Sequence, residues 1–192
     1  ADELRAMLYT AVPYEAGPVA IRFPRGNVPA APAADRFETL PIGKARLLRA
    51  GEDVALIGYG TSVEWCQRAA DLLAADGILP TVVNARFAKP LDAELLLRIV
   101  AQHRVVLVVE EHQLSGGFGA AVLELCEEHG VAQGHVRRLG IPDRFVEQAP
   151  RPRQLESLGL VPAAIAARVR RELGTTRLDS DASHPHSAGS RP

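Results

Sequence analysis

Apolar residues in this chain follow two periods in turn. Four short runs, Val54-Ala55-Leu56-Ile57, Thr81-Val82-Val83, residues 105–109 and residues 136–139, predict strands. Val105-Val106-Leu107-Val108-Val109 is apolar at every position, as expected of a central strand covered on both faces. Between the runs, apolar residues recur three and four apart. Val63, Cys66, Ala70 and Leu73 form one stripe, closed by Gly77, and Val122, Leu125, Cys126 and His129 form another before Gly130. Ile165, Ala166, Val169 and Leu173 form a third behind Pro162, which suits a first helical turn. Asp92 is placed to cap a helix, with Leu91 stapled onto Leu96, and Thr61-Ser62-Val63-Glu64 matches a capping box.

This alternation predicts an α/β fold of three layers, with helices on both faces of a mainly parallel sheet. Residues 44–49 and 53–58 flank Ala50-Gly51-Glu52 and read as a hairpin, whose antiparallel strand makes the sheet mixed. Near the start, residues 3–11 read as a helix and residues 19–23 as one apolar strand, ended by Pro24, which has no backbone donor. One helix and one strand cannot bury both faces unaided. Residues 1–26 are therefore expected to end a domain that lies upstream. Residues 27–41, with Pro29-Ala30-Ala31-Pro32-Ala33-Ala34, read as a linker, and residues 42–173 as the α/β domain. Residues 174–192 are polar and predict a disordered tail, in which His184 and His186 read as solvated and not as a metal pair.

The chain has 192 residues, of which 47% are apolar, and a net charge of -1. That balance leaves no basic stripe for nucleic acid, and no apolar run reaches the length of a membrane span. Neither kind of partner is expected. Cys66 and Cys126 both fall on predicted helices without metal-ligand spacing. They read as buried reduced thiols of a cytoplasmic protein, with no metal site.

Several segments carry candidate chemistry. In Gly17-Pro18-Val19-Ala20-Ile21-Arg22-Phe23-Pro24-Arg25-Gly26, Arg25 stands at a strand exit, where a planar cation can grip a phosphate or carboxylate with two parallel hydrogen bonds. An interdomain salt bridge fits the same arginine, and spacing alone favours it. Gly58-Tyr59-Gly60-Thr61 lies between a strand and a helix, yet lacks a full dinucleotide fingerprint and reads as a tight turn. Ser115-Gly116-Gly117-Phe118-Gly119 opens another helix after Glu110-Glu111-His112. That trio fits acid–base chemistry, cation binding or a subunit or domain contact, and the contact is preferred because no nucleophile or third ligand is near. Arg86 and Lys89 could attract an anion, although helix initiation accounts for Pro90 and Asp92. Gly140-Ile141-Pro142-Asp143-Arg144-Phe145 reads as a rigid connector, and the segment around Arg151 and Arg153 as a solvated loop.

Taken together, Arg22-Phe23-Pro24-Arg25-Gly26, Leu40-Pro41-Ile42-Gly43-Lys44, Arg86-Phe87-Ala88-Lys89-Pro90-Leu91-Asp92, Glu110-Glu111, Gly116-Gly117-Phe118-Gly119 and Gly140-Ile141-Pro142-Asp143-Arg144-Phe145 occur in the order seen in the 1-deoxy-D-xylulose-5-phosphate synthase family. The chain resembles that family from Asp2 to about Leu173. Single motifs of this kind are weak, whereas six in register are specific. The resemblance implies a three-layer transketolase C-terminal-like domain, preceded by the end of a pyrimidine-binding α/β domain and a linker. It further implies part of a homodimeric transferase that depends on thiamine diphosphate and Mg2+ and joins pyruvate to D-glyceraldehyde 3-phosphate. The product, 1-deoxy-D-xylulose 5-phosphate, feeds the non-mevalonate isoprenoid route and thiamine and pyridoxal synthesis.

In that family the arginine of the Tyr/Phe-Pro-Arg-Gly motif binds the aldehyde's phosphate. The resemblance places this role on Arg25 and reverses the preference from spacing. The diphosphate and metal site, the activating glutamate and the active-site histidines belong upstream. This segment is accordingly expected to hold no catalytic or cofactor-binding residue and to be inactive alone. Phe23 stands where tyrosine is common, and Gln148 where a histidine often follows. A transketolase, a 2-oxoacid dehydrogenase beta subunit and a non-catalytic interaction module are the alternatives.

Overall fold

The computed structural model describes residues 2–24 and 38–182. Helix α1 (Asp2–Ala11) is followed by strands β1 (Arg46–Arg49) and β2 (Val54–Tyr59), helix α2 (Ser62–Ala74) and strand β3 (Thr81–Asn84). Helix α3 (Ala93–Gln102), strand β4 (Val105–Gln113), helix α4 (Phe118–Glu128) and strand β5 (Val136–Ile141) continue the alternation, and helices α5 (Arg151–Ser157) and α6 (Pro162–Ala182) close it. The five strands form one sheet in the order β1-β3-β2-β4-β5, parallel except for β1.

Strand periodicity divides the core in two. Val54, Leu56, Leu107 and Val109 face a cluster containing Cys66, Ala69 and Leu73 of α2 and Ile165, Ala166 and Val169 of α6. Their neighbours Ala55, Ile57, Val106 and Val108 face Leu96, Ile99 and Val100 of α3 and Phe118, Val122 and Cys126 of α4. The three-layer, mainly parallel and mixed α/β architecture expected from the sequence is therefore the one observed. Burial in the first cluster pushes the Cys66 thiol up to about 12, so it behaves as a small apolar side chain.

Four local expectations are corrected. The hairpin is absent: β1 pairs with β3, not with β2. Gly51 N–H donates to Thr81 Oγ1 at 3.0 Å and Glu52 N–H to the Leu79 carbonyl at 3.1 Å, so the connection crosses the start of β3. Residues 18–24 form no strand, since no described strand offers them a ladder, and Val19 and Phe23 are exposed. The segment around Arg151 is helix α5, whose Pro152 sits in the first turn, where a missing N–H costs nothing, and whose Leu155 is buried. Finally, α6 continues past Leu173 to Ala182, where the polar composition pointed to disorder. Residues 25–37, the greater part of the expected linker, lie outside the described residues, as do His184 and His186.

Helix α6 is tied to β5 by charge. Glu172 accepts from Arg137 Nε at 2.9 Å and from Arg168 Nε at 2.5 Å. Burial alone would raise this carboxyl, but the hydrogen bond and charge of Arg168, joined by Arg137, hold it below the usual 4.5. A carboxyl depressed in the folded state contributes stability present above its unfolded pKa and lost as pH falls through the folded value. Glu172→Gln is expected to cost about 1 kcal/mol at neutral pH, a modest figure because both arginines are partly exposed. Denaturant melts should show the deficit shrinking as pH falls below about 4.5; a deficit independent of pH would contradict the assignment.

Candidate functional site

Because β2, β3 and β4 are parallel, their carboxyl ends share one edge of the sheet. Ligands of open α/β sheets collect at such an edge. The strand ends and loops at this edge contain Gly58-Tyr59-Gly60-Thr61, Arg86 to Asp92 and Glu110-Glu111-His112, so the fold brings together three segments the sequence singled out separately.

Glu110 is fully buried, and its carboxylate accepts from Phe118 N–H at 2.7 Å and Gly119 N–H at 2.8 Å. It thereby satisfies the free amides at the start of α4 and lies at the positive end of that helix. The neighbouring glycines leave it room. A methyl group on Gly117 would collide with the Glu110 carboxylate and the Gln113 carbonyl, and one on Gly119 would meet Glu110 Oε1 at 3.0 Å. Phe118 stacks on Tyr59 with ring centroids 4.9 Å apart. The glycine-rich helix start is thus a socket for a side chain of this same chain.

Glu111 faces the other way. Its carboxylate accepts a bidentate pair from Arg151, at 2.6 Å from Nε and 2.5 Å from Nη2, and a third bond from Thr61 Oγ1 at 2.7 Å. Burial would raise the Glu111 carboxyl, but the hydrogen bonds from Arg151 and Thr61 and the charges of Arg151 and Arg22 outweigh it and hold the group low. Thr61 therefore does not close a capping box: its hydroxyl is spent on Glu111, and Glu64 pairs with Arg68 one turn on. The main-chain carbonyl of Glu111 accepts from Arg22 Nη2 at 2.8 Å, which ties the segment before Arg25 to the end of β4. His112 is exposed and, among the described residues, reaches only the carbonyl of Gln113, at 3.3 Å.

The N-terminal helix is held at the same edge. Glu3 of α1 accepts from Asn84 Nδ2 at 2.6 Å and from Arg86 Nε at 2.5 Å. Arg86 is consequently engaged by a carboxylate of the chain itself. Asp92 caps α3 as expected, accepting from Leu95 N–H at 3.2 Å. Between α1, residues 18–22 and the loop after β3 lies a cleft of about 520 Å³. Met7, Tyr14, Ile21 and Phe87 give it apolar walls, and Arg22 and Lys89 line it too. The Gly140 to Phe145 turn is pinned by Gln113 Nε2, which donates to Asp143 Oδ1 at 3.0 Å, and it leaves Phe145 fully exposed. Arg25 lies outside the described residues.

Arg151, which read as part of a solvated loop, Thr61, which read as a helix cap, and Glu3 and Asn84, to which the sequence reading gave no partner, make these contacts. Their bonds span 40, 50, 83 and 81 residues respectively, and no local period marks such separations.

A family model described as the transketolase C-terminal domain matches residues 43–165. The chain belongs to that family. A solved split-gene transketolase, described as an inactive beta4 tetramer, superposes with a TM-score of 0.65 at 31% identity, over 71% of this chain and 44% of that one. More particularly, the sequence is 48% identical over 178 residues to 1-deoxy-D-xylulose-5-phosphate synthase of Symbiobacterium thermophilum, covering 93% of this chain and 27% of that relative. It is 47% identical over 166 residues to 1-deoxy-D-xylulose-5-phosphate synthase 1 of Geobacter sulfurreducens, covering 86% of this chain and 26% of that relative. The chain spans about a quarter of the length of the curated relatives it matches.

The described residues do not fit a thiamine diphosphate site. The glycine-lined start of α4 at the sheet's carboxyl edge, which could otherwise cradle a diphosphate, is filled by Glu110. Among the described residues, no group of three or more His, Cys, Asp or Glu is arranged to hold Mg2+.

Gly117→Ala is expected to cost about 2–3 kcal/mol, because the carboxylate must move or the helix start must shift. Glu110→Gln, which keeps the shape but turns one acceptor into a donor facing an amide, should cost about 1–2 kcal/mol. Chemical denaturation measures both. A neutral Gly117→Ala would show that the socket is not tightly built.

Proposed function

We propose that this segment is the C-terminal part of a 1-deoxy-D-xylulose-5-phosphate synthase, in which Arg25 receives the phosphate of D-glyceraldehyde 3-phosphate. The observation that carries the reading is the Arg22-Phe23-Pro24-Arg25-Gly26 motif, tethered by Arg22 to the carboxyl edge of the sheet. The similarity to synthases over most of the chain supports it. In the whole enzyme the bond between the carbonyl and carboxylate carbons of pyruvate breaks, CO2 leaves, and the two-carbon unit bonds to the aldehyde carbon with uptake of one proton. Thiamine diphosphate supplies the carbanion chemistry when bound, and its residues belong to other parts of the protein.

The contribution of this segment is recognition and enclosure. A guanidinium matches a phosphate in charge and in planar fork geometry, and it fixes the end of the aldehyde remote from the reacting carbon. Binding energy at that remote group orients the carbonyl for attack. The apolar walls of the cleft and the N-terminal helix suit burial against the remainder of a pyrimidine-binding domain. A homodimer in the cytoplasm is the assembly and location that go with this reading.

In the full-length synthase, Arg25→Ala is expected to lower kcat/KM for D-glyceraldehyde 3-phosphate by about 30- to 1000-fold, or about 2–4 kcal/mol, with saturation by pyruvate nearly unchanged. Steady-state kinetics with each substrate varied in turn measures this. Unchanged use of the aldehyde with a collapse of pyruvate use would overturn the assignment.

A further inference from the structure

The end of β3 carries two donors that converge on one carboxylate. Asn84 is buried, and its side-chain oxygen accepts from Arg86 N–H at 3.1 Å, while Nδ2 donates to Glu3 Oε2 at 2.6 Å. Arg86 stands beside it at φ 57°, a left-handed conformation that glycine adopts freely and residues with side chains rarely do. Such backbone persists only where its surroundings hold it. Here the Asn84 oxygen holds the main chain, and Nε donates to Glu3 Oε1 at 2.5 Å from a side chain only 12% exposed. Without an acid before them, a buried amide and a largely buried guanidinium would each lack an acceptor, which is costly. Among the described residues no other carboxylate pairs with Arg86.

The helix that supplies this acid is not held by burial. No residue of α1 is buried. Its Met7, Thr10 and Tyr14 line the cleft, as do Phe87 and Lys89 of the loop that carries Arg86. A cleft of about 520 Å³ thus lies where packing would otherwise join helix to domain. Toward the other end of the helix, Thr10 Oγ1 accepts from Leu40 N–H at 2.7 Å, a neutral bond to the segment before β1 and not to the sheet.

We propose that Glu3 is a latch. Its carboxylate, seated in a receptor made by Asn84 and Arg86, holds α1 against the domain as one wall of the cleft, and loss of that carboxylate releases the helix and opens the cleft. The receptor fits one chemical class of partner, an acid on the preceding segment of the same chain, because both groups that face it are donors. This inference does not depend on any role of Arg25.

The test is hydrogen exchange, followed by mass spectrometry, on the full 192-residue chain. Away from the domain a helix of 10 residues is marginal in water, so release shows as lost amide protection in α1. Glu3→Gln keeps the side chain's shape but removes the charge and turns one oxygen into a donor facing another donor. Arg86→Gly removes the guanidinium and takes the left-handed backbone without strain, so the domain stays folded. Each is expected to speed exchange of the α1 amides by about 10- to 100-fold, the factor that a hydrogen bond to a charged group is worth. The amides of β4 should exchange as in the unaltered chain. The double variant should release α1 no further than either single one, because both substitutions break the same contact.

Unchanged protection of α1 in both variants would overturn the latch, since the helix would then be held without the carboxylate. Equal loss of protection in α1 and β4 would overturn it too, by showing that the pair supports the whole fold. Additive effects in the double variant would show that Glu3 and Arg86 act through separate contacts, against the receptor.

Discussion

Two adjacent carboxylates at the end of β4 organise the carboxyl edge of this sheet. A strand sends successive side chains to opposite faces, so Glu110 and Glu111 cannot share a partner. Glu110 points to the face covered by α3 and α4 and takes up the amides that open α4. Glu111 points to the face covered by α2, α5 and α6 and takes up Thr61 and Arg151. One dipeptide therefore pins three helices to β4, and its main chain receives the N-terminal arm as well.

Burying charge in this way is costly unless each oxygen is satisfied. Both carboxylates meet that condition by different means. Glu110 is matched by backbone donors at a helix N-terminus and needs glycines at 117 and 119 to reach them. Glu111 is matched by an arginine fork and a hydroxyl, which hold its carboxyl below the usual range. The first arrangement is rigid and internal, and it occupies a site that would otherwise suit an anionic ligand. The second leaves the Glu111 carbonyl to accept from Arg22 Nη2.

The architecture was legible because it rests on local signals. The all-apolar run at 105–109 marked an inner strand covered on both faces, and helical stripes such as Val63, Cys66, Ala70 and Leu73 marked the covering layers. Asp92 marked a true cap. What stayed hidden was decided by partners far along the chain. Nothing near Ala50-Gly51-Glu52 shows that the strand before it crosses to β3, since the deciding contacts come from Leu79 and Thr81. The Thr61 to Glu64 spacing satisfied a capping rule, yet a carboxylate fifty residues away outcompeted the helix for the threonine hydroxyl. Glu110-Glu111-His112 read as one cluster, although strand alternation divides its two acids between opposite layers and leaves the histidine to solvent. A subunit or domain contact was the preferred reading of that trio; among the described residues Glu111 meets Arg22 through its main chain.

The central claim is the proposal that Arg25 receives the substrate phosphate, on an arm that Arg22 ties to the Glu111 carbonyl. An experimental structure of the full-length synthase with D-glyceraldehyde 3-phosphate bound tests this most directly. The account predicts Arg22 against the Glu111 carbonyl, the Glu111 carboxylate still forked by Arg151, and the Arg25 guanidinium in paired hydrogen bonds with the substrate phosphate. Arg25 locked onto an internal carboxylate, or Arg22 turned away from β4 while the phosphate is held by other residues, would contradict it.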